Sequence, residues 1–96
     1  MTSVIVTSAA EKDFTDSLCW YAKQSLAIAE DFDREFGRVV QELHHDPERF
    51  PLSDEKHRFV IMQRFPFQVI FRRDGTKVVI IALAHASRSP NYWSDR

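Results

Sequence analysis

The sequence is poor in cysteine and glycine. Its one cysteine, Cys19, has no partner for an internal disulfide, and with His44 and His45 it does not reproduce a zinc-ligand spacing. We therefore expect a reducing, cytoplasmic compartment and neither a metal nor another cofactor. The two glycines, Gly37 and Gly75, leave no P-loop and no dinucleotide-binding fingerprint.

Long apolar runs are also lacking. The longest covers residues 78–84, far below the roughly 20 residues that a bilayer requires. The first ten residues have no basic stretch ahead of their short apolar segment. Neither a membrane span nor a signal peptide is predicted.

The composition is that of an ordinary globular chain, with 44% hydrophobic and 28% charged residues, and we expect one domain over residues 1–96. The charge is divided along the chain. Residues 1–48 contain four Lys or Arg and ten Asp or Glu, a net −6, whereas residues 49–96 contain nine and four, a net +5. The second half could offer a positive face to nucleic acid or an acidic protein, or each half could solvate its own charges; charge alone favours the second interpretation.

The first 25 residues predict a strand and then a helix. Ser3 to Thr7 is rich in β-branched residues, which favours a strand. Ser8 and Glu11 have the spacing of a capping box, so a helix is predicted to begin near Ala9. Ser25 is predicted to end this helix and cap the next.

One apolar stripe runs along this first helix. Phe14, Leu18 and Tyr21 fall at steps of four and three residues, the spacing of one helical face. Cys19 and Trp20 are also expected to lie in the core.

The second helix has the strongest periodicity in the chain. It is predicted from Leu26 to His45 and ends where Asp46 and Pro47 forbid continuation. The two helices are predicted to pair as a hairpin, whose apolar stripe must be covered by another layer. The repeating apolar positions of the second helix are Ala29, Phe32, Phe36, Val39 or Val40, and Leu43.

The remaining residues favour strands. Pro66 cannot donate to a sheet and is predicted to mark a turn, and the apolar run from Val78 to Ala84 predicts a central strand. Three strands are predicted, from His57 to Gln63, from Phe67 to Arg72 and from Lys77 to Ala84.

Asp74 and Gly75 predict a two-residue type I′ turn between the last two strands. Pairing Arg73 with Thr76 then sets the register. Its apolar pairs are Phe71 with Val78, Val69 with Ile80, and Phe67 with Ala82. The expected fold is α+β, in the order β-α-α-β-β-β, with a small antiparallel or mixed sheet packed against a helical hairpin.

The residues that could carry chemistry are cationic and aromatic. Arginine beside aromatic rings holds phosphates and stacks bases, and it equally anchors an acidic peptide. For any single arginine a surface ion pair is the more common role, and Tyr92 and Trp93 could simply pack as a lid. The series comprises Arg58, Arg64, Arg72, Arg73, Lys77, His85, Arg88, Tyr92, Trp93 and Arg96.

The order of these motifs resembles the RelE/ParE toxin superfamily of bacterial toxin–antitoxin pairs, the plasmid-stabilisation type. The resemblance covers essentially the whole chain and implies the same small α+β fold. In the second half the matching motifs are Arg58 ahead of an Ile-Met pair, Arg64-Phe-Pro-Phe-x-Val-Ile-Phe71, His85, and Arg88-Ser-Pro-Asn-Tyr-Trp-x-x-Arg96. In the first half they are Ser8-x-Ala-x-x-Asp-Phe14, Trp20-Tyr21, Ala29-x-x-Phe32, Leu43-x-x-Asp-Pro47 and Phe50-Pro51.

The superfamily contains two activities. RelE-like members are ribosome-dependent mRNA endonucleases, and ParE-like members act on DNA gyrase. In the RelE pattern, arginines that stabilise the scissile phosphate are expected where this chain has Gln68 and Ala86. Tyr92 coincides with the catalytic tyrosine, and His85 and Arg88 lie nearby. The missing charges favour the ParE-like activity.

The resemblance thus implies a cytoplasmic ParE-like toxin that binds a protein, DNA gyrase, and is neutralised by a cognate antitoxin. The alternatives are a ribosome-dependent mRNA endonuclease, acting on the ribosome and mRNA without a metal, and a non-toxic member that only binds a partner. Catalytic candidates in the endonuclease case are His85, Arg88 and Tyr92. The expected residues for binding target or antitoxin are Arg58, Arg64, Arg72, Arg88, Tyr92, Trp93 and Arg96.

Overall fold

A computed structural model describes residues 2–88 and 91–96. The element order confirms the predicted β-α-α-β-β-β arrangement, with a short 3₁₀ turn, Pro47–Arg49, after the second helix. No helix in the described ranges is long and apolar enough to span a bilayer. The elements are β1 (Ser3–Val6), α1 (Ser8–Gln24), α2 (Leu26–His45), β2 (His57–Ile61), β3 (Phe67–Asp74) and β4 (Lys77–His85).

The four strands form one mixed sheet in the order β1-β4-β3-β2. Strand β1 is parallel to β4, and the other two pairings are antiparallel. β4 is therefore central, as its apolar run predicted. Because β1 ends at Val6, opposite Ile80, no strand of the described residues pairs with the second half of β4 on that side.

Apolar clusters lie on both faces of the sheet. On the inner face the helical hairpin covers the sheet, and Phe14 of α1 stacks on Phe32 of α2 with ring centroids 5.6 Å apart. On the outer face Trp93 packs on Ile70, Ile81 and neighbouring apolar residues. Trp93 is only 4% exposed, so the 91–96 segment forms the lid of the second cluster.

The predicted register of the β3–β4 hairpin is wrong. Asp74 pairs with Lys77, which makes Gly75 and Thr76 the two-residue loop. Of these two loop residues only Gly75 has a positive φ, at 62°, the pattern of a type II′ turn rather than type I′. Phe71 accordingly lies opposite Ile80.

A β-bulge then shifts the register further. Phe71 pairs with Ile80 and Ile70 with Ala82, so Ile81 has no partner. The extra residue places Ile81 and Ala82 together in the outer cluster, although neighbouring residues of a regular strand face opposite sides. Strand β4 therefore contributes side chains to the apolar clusters on both faces of the sheet.

The helix α1 begins at Ser8, one residue earlier than predicted. Thr7, not Ser8, is the N-cap, and its Oγ1 accepts from the N–H of Ala10 at 3.2 Å. Thr7 is still extended, because its own N–H donates to the Ile80 carbonyl of the sheet. Glu11 therefore lies four residues after the cap, and the capping box does not form.

The placement of Cys19 and Trp20 in the core is also wrong. Cys19 is exposed, and Trp20 is 59% exposed. The predicted stripe of Phe14, Leu18 and Tyr21 does pack on the core. Trp20 comes two residues after Leu18, about 200° around the helix, and so faces outward.

The cap at Ser25 and the range of α2 are confirmed. Ser25 ends α1, and its hydroxyl accepts from the N–H of Ile28 at 3.4 Å at the start of α2. Glu35 lies among the buried positions of α2, where its carboxylate accepts from the backbone N–H groups of Gln63 and Arg64. This buried acceptor fixes the chain between β2 and β3.

Candidate functional site

The three catalytic candidates lie around one cavity. His85 is the last residue of β4, Arg88 lies in the turn after it, and Tyr92 comes from the 91–96 segment. The cavity has a volume of about 200 Å³ and opens on the outer side of the sheet. It is lined by Ser53, Gln68, Ala84, His85, Ala86, Arg88, Asn91, Tyr92 and Trp93, with no carboxylate among them.

Gln68 and Ala86 line this same cavity. They are the positions where the endonuclease pattern would have arginines. The turn at Pro66 brings them together, because the N–H of Ala86 donates to the Pro66 carbonyl at 2.8 Å. The fold therefore brings the positions of the endonuclease pattern together at this cavity, and two of them have neutral side chains.

Arg88 carries the free positive charge of the cavity. Its guanidinium lies 4.0 Å from the centroid of the Tyr92 ring, within the range of a cation–π contact. None of the ion pairs of the described residues involves it. A planar guanidinium held on a ring is presented for a carboxylate or a phosphate.

The hydroxyl of Tyr92 is engaged inside the protein. It donates to Oδ2 of Asp13 at 3.2 Å and lies 3.3 Å from the carbonyl oxygen of Leu83. Burial, and then the Asp13 carboxylate, raises the pKa of Tyr92 above its ordinary value. At neutral pH the phenol is therefore protonated, and its single proton is shared between two internal acceptors.

His85 is oriented by the turn that follows it. Its Nδ1 accepts from the N–H of Ser87 at 3.0 Å and lies 2.7 Å from the Ser87 hydroxyl. The ring also meets Phe67 edge-on, with centroids 4.9 Å apart. Because Nδ1 is an acceptor, the neutral ring carries its proton on Nε2.

The other predicted site residues do not join this cavity, except Trp93, which contributes a buried wall. Arg58 donates to the Phe50 carbonyl at 2.6 Å and pairs with Glu48, so it supports the loop before β2. Arg64 pairs with Asp31 of α2, and Arg96 pairs with Asp13 of α1. Arg72 lies opposite His57 and Val79, toward the other end of the sheet.

Five of the nine cations in residues 49–96 form ion pairs with the first half of the chain. Cations of residues 49–96 pair with carboxylates of residues 1–48, which neither interpretation of the sequence included. These pairs are Arg49 with Glu42, Arg58 and Arg73 with Glu48, Arg64 with Asp31, and Arg96 with Asp13. In the described part of residues 49–96, the cations outside such pairs are Lys56, Arg72, Lys77 and Arg88.

Asp13 is the residue that sequence reasoning missed. It belongs to the quoted Ser8-x-Ala-x-x-Asp motif, but nothing in that spacing gave its carboxylate a role. The structure places it against the 91–96 segment, far along the chain. No cluster of three or more potential metal ligands occurs in the described ranges.

Comparison with known proteins identifies the family. The family model described as "ParE toxin of type II toxin-antitoxin system, parDE" matches residues 4–90. Among solved structures, a chain of the chromosomal ParDE TA system from P. aeruginosa superposes with a TM-score of 0.79 at 20% sequence identity, covering 91% of this chain and 98% of that one. At that identity the likeness concerns the fold. No curated protein matches the sequence.

Proposed function

Since the chain belongs to the ParE toxin family of type II toxin–antitoxin systems, we propose that it is the toxin of such a pair and acts by binding a protein. The proposed target is DNA gyrase, and a cognate antitoxin holds the toxin inactive. The proposed compartment is the cytoplasm, where both partners would be met.

The composition of the cavity carries the proposal. An RNA endonuclease without a metal must stabilise the charge that develops on the scissile phosphate. Gln68 and Ala86 supply no charge where the pattern expects two arginines. If each arginine were worth about 3 kcal/mol, their absence would cost about 6 kcal/mol of transition-state stabilisation, which leaves a binding surface in place of a catalytic site.

The same cavity suits an acidic side chain of a protein. Among the described residues no carboxylate pairs with Arg88, and its guanidinium lies 4.0 Å from the centroid of the Tyr92 ring. Arginine and tyrosine are the usual anchors of protein interfaces. A carboxylate of the target that binds Arg88 and the Nε2 of His85 would neutralise the positive charge of Arg88.

One observation favours the endonuclease alternative, namely that His85, Arg88 and Tyr92 line a single cavity. Against it, the Tyr92 hydroxyl already donates to Asp13. A general acid must instead place its proton on the leaving group. The alternative remains the second candidate and is separated by experiment.

The test compares two assays on the same purified protein. In a supercoiling assay, gyrase should be inhibited by the wild type, and Arg88→Ala should require at least about tenfold more protein for half inhibition, the loss of about 1.4 kcal/mol expected for an anchor residue. Arg34→Ala is the matched control, since Arg34 lies on α2, pairs with Asp31 and is not among the expected binding residues. With translating ribosomes, mRNA should stay intact. Cleavage of mRNA with uninhibited gyrase would replace this proposal with the endonuclease.

A further inference from the structure

Asp13 is the point at which α1 holds the 91–96 segment. Its side chain is 9% exposed. The single oxygen Oδ2 accepts from the Leu83 N–H at 3.1 Å, from the Tyr92 hydroxyl at 3.2 Å and from the Arg96 guanidinium at 2.7 Å. One carboxylate therefore joins a helix, a strand and the 91–96 segment.

These contacts close the side of β4 that β1 does not reach. Strand pairing with β1 stops at Ile80, and an uncovered strand edge leaves backbone groups without partners. The Leu83 N–H is bonded to Asp13, and the Ile81 carbonyl accepts from Arg96 at 3.0 Å. Side chains thus satisfy these two backbone groups of β4 beyond the end of its pairing with β1.

The same contacts set one wall of the cavity. The Tyr92 ring carries Arg88 at 4.0 Å and Arg96 at 5.0 Å from its centroid. The hydroxyl end of that ring is fixed by Asp13, which does not itself line the cavity. Release of the hydroxyl and of Arg96 would free the ring, and with it the guanidinium of Arg88.

We infer that Asp13 is a positioning residue, which holds the 91–96 segment across the open edge of β4 and so sets the position from which Arg88 meets the target. This inference rests on the proposed function for its effect on activity. Its structural part can be measured without any target.

The structural measurement uses Asp13→Asn, with Asp16→Asn as the matched control. Asp16 lies on the same helix and pairs only with exposed Lys12. Amide exchange at Leu83 should accelerate at least tenfold in Asp13→Asn and stay unchanged in the control. In a Trp20→Phe background, where Trp93 is the remaining tryptophan, acrylamide quenching should rise in the same variant. Unchanged exchange and quenching overturn the inference.

The functional measurement is a double-mutant cycle on gyrase inhibition. Asp13→Asn should raise the concentration for half inhibition at least tenfold under conditions where circular dichroism shows a folded protein. In an Arg88→Ala background the same change should add less than twofold, because Asp13 acts through Arg88. If the effects of Asp13→Asn and Arg88→Ala multiply instead, Asp13→Asn acts through a general loss of stability, and the positioning role is overturned. If Arg88→Ala alone has no effect, the proposed site is wrong, and the exchange measurement still decides whether Asp13 holds the segment.

Discussion

Single residues decide the chemistry of the cavity. The resemblance to the RelE pattern singled out His85, Arg88 and Tyr92 from the cationic and aromatic residues, and the structure brings all three together. Residue types could not show that the Tyr92 hydroxyl is already bonded. That bond depends on Asp13, which comes close only because the fold places α1 beside the end of β4.

The substitution Tyr92→Phe removes the hydroxyl group and keeps the aromatic ring. The pair between Arg96 and Asp13 would still hold the 91–96 segment, and the ring would still contact Arg88, so gyrase inhibition should stay within about twofold of the wild type. The lost hydrogen bonds should lower the free energy of unfolding by about 1 kcal/mol, measured by urea denaturation. Loss of toxicity in a variant that remains folded would contradict the role given to Tyr92.

The hydrogen bonds of Asp54 are expected to contribute to the free energy of unfolding, and this contribution should be lost in acid. The backbone N–H of Lys56 and the side chain of His57 lower the pKa of Asp54 from 3.8 to about 2. Because the folded pKa is depressed, the contribution is complete above the unfolded value and lost as the pH falls toward 2. The stability difference between wild type and Asp54→Asn should therefore shrink between about pH 4 and pH 2. A constant difference across that range would contradict the assignment.

At the scale of elements, periodicity predicted most of the fold. The range of α2, the hairpin at Ser25 and the central position of β4 followed from apolar spacing and capping. The bulge at Ile81 did not, because a strand that is apolar on both faces carries no alternation from which to read its register. The turn was misassigned because Asp-Gly fits two registers. Gly75 has a positive φ in both of them, and they differ at Asp74, whose φ would have to be positive in a type I′ turn and is not.

The two glycines predict opposite effects on stability. Gly75 has φ of 62°, so Gly75→Val should lower the free energy of unfolding by about 1–2 kcal/mol. Gly37 lies inside α2 with nothing within 4 Å of an added Cβ, so Gly37→Ala should raise it by about 0.5–1 kcal/mol. Thermal melting of both variants tests the pair. An unchanged melting temperature for Gly75→Val would mean that the turn lies elsewhere.

At the scale of the whole molecule, arginines of the second half of the chain form ion pairs with carboxylates of the first half. The sign of each half follows from composition, but which carboxylate meets which arginine depends on the helical hairpin lying against the sheet. Most of these pairs are partly exposed, and each contributes about 0–1 kcal/mol. What stays free for a partner is a smaller set of cations, with Arg88 at the cavity.

These free cations predict how an acidic antitoxin would bind. Association should slow by about tenfold between 0.1 and 0.5 M salt, while dissociation changes little, because exposed charges steer the encounter. Stopped-flow or surface measurements of the toxin with its purified cognate antitoxin would show this. An association rate independent of salt, or failure of the two products to co-purify, would contradict the proposed pair.

The central claim is that the protein binds gyrase and does not cleave RNA. The most direct measurement is to induce the gene in cells and follow thymidine and methionine incorporation in parallel. Thymidine incorporation should fall first, with mRNA intact and translation continuing. An earlier fall in methionine incorporation, with mRNA cleavage that disappears in Tyr92→Phe, would contradict the account.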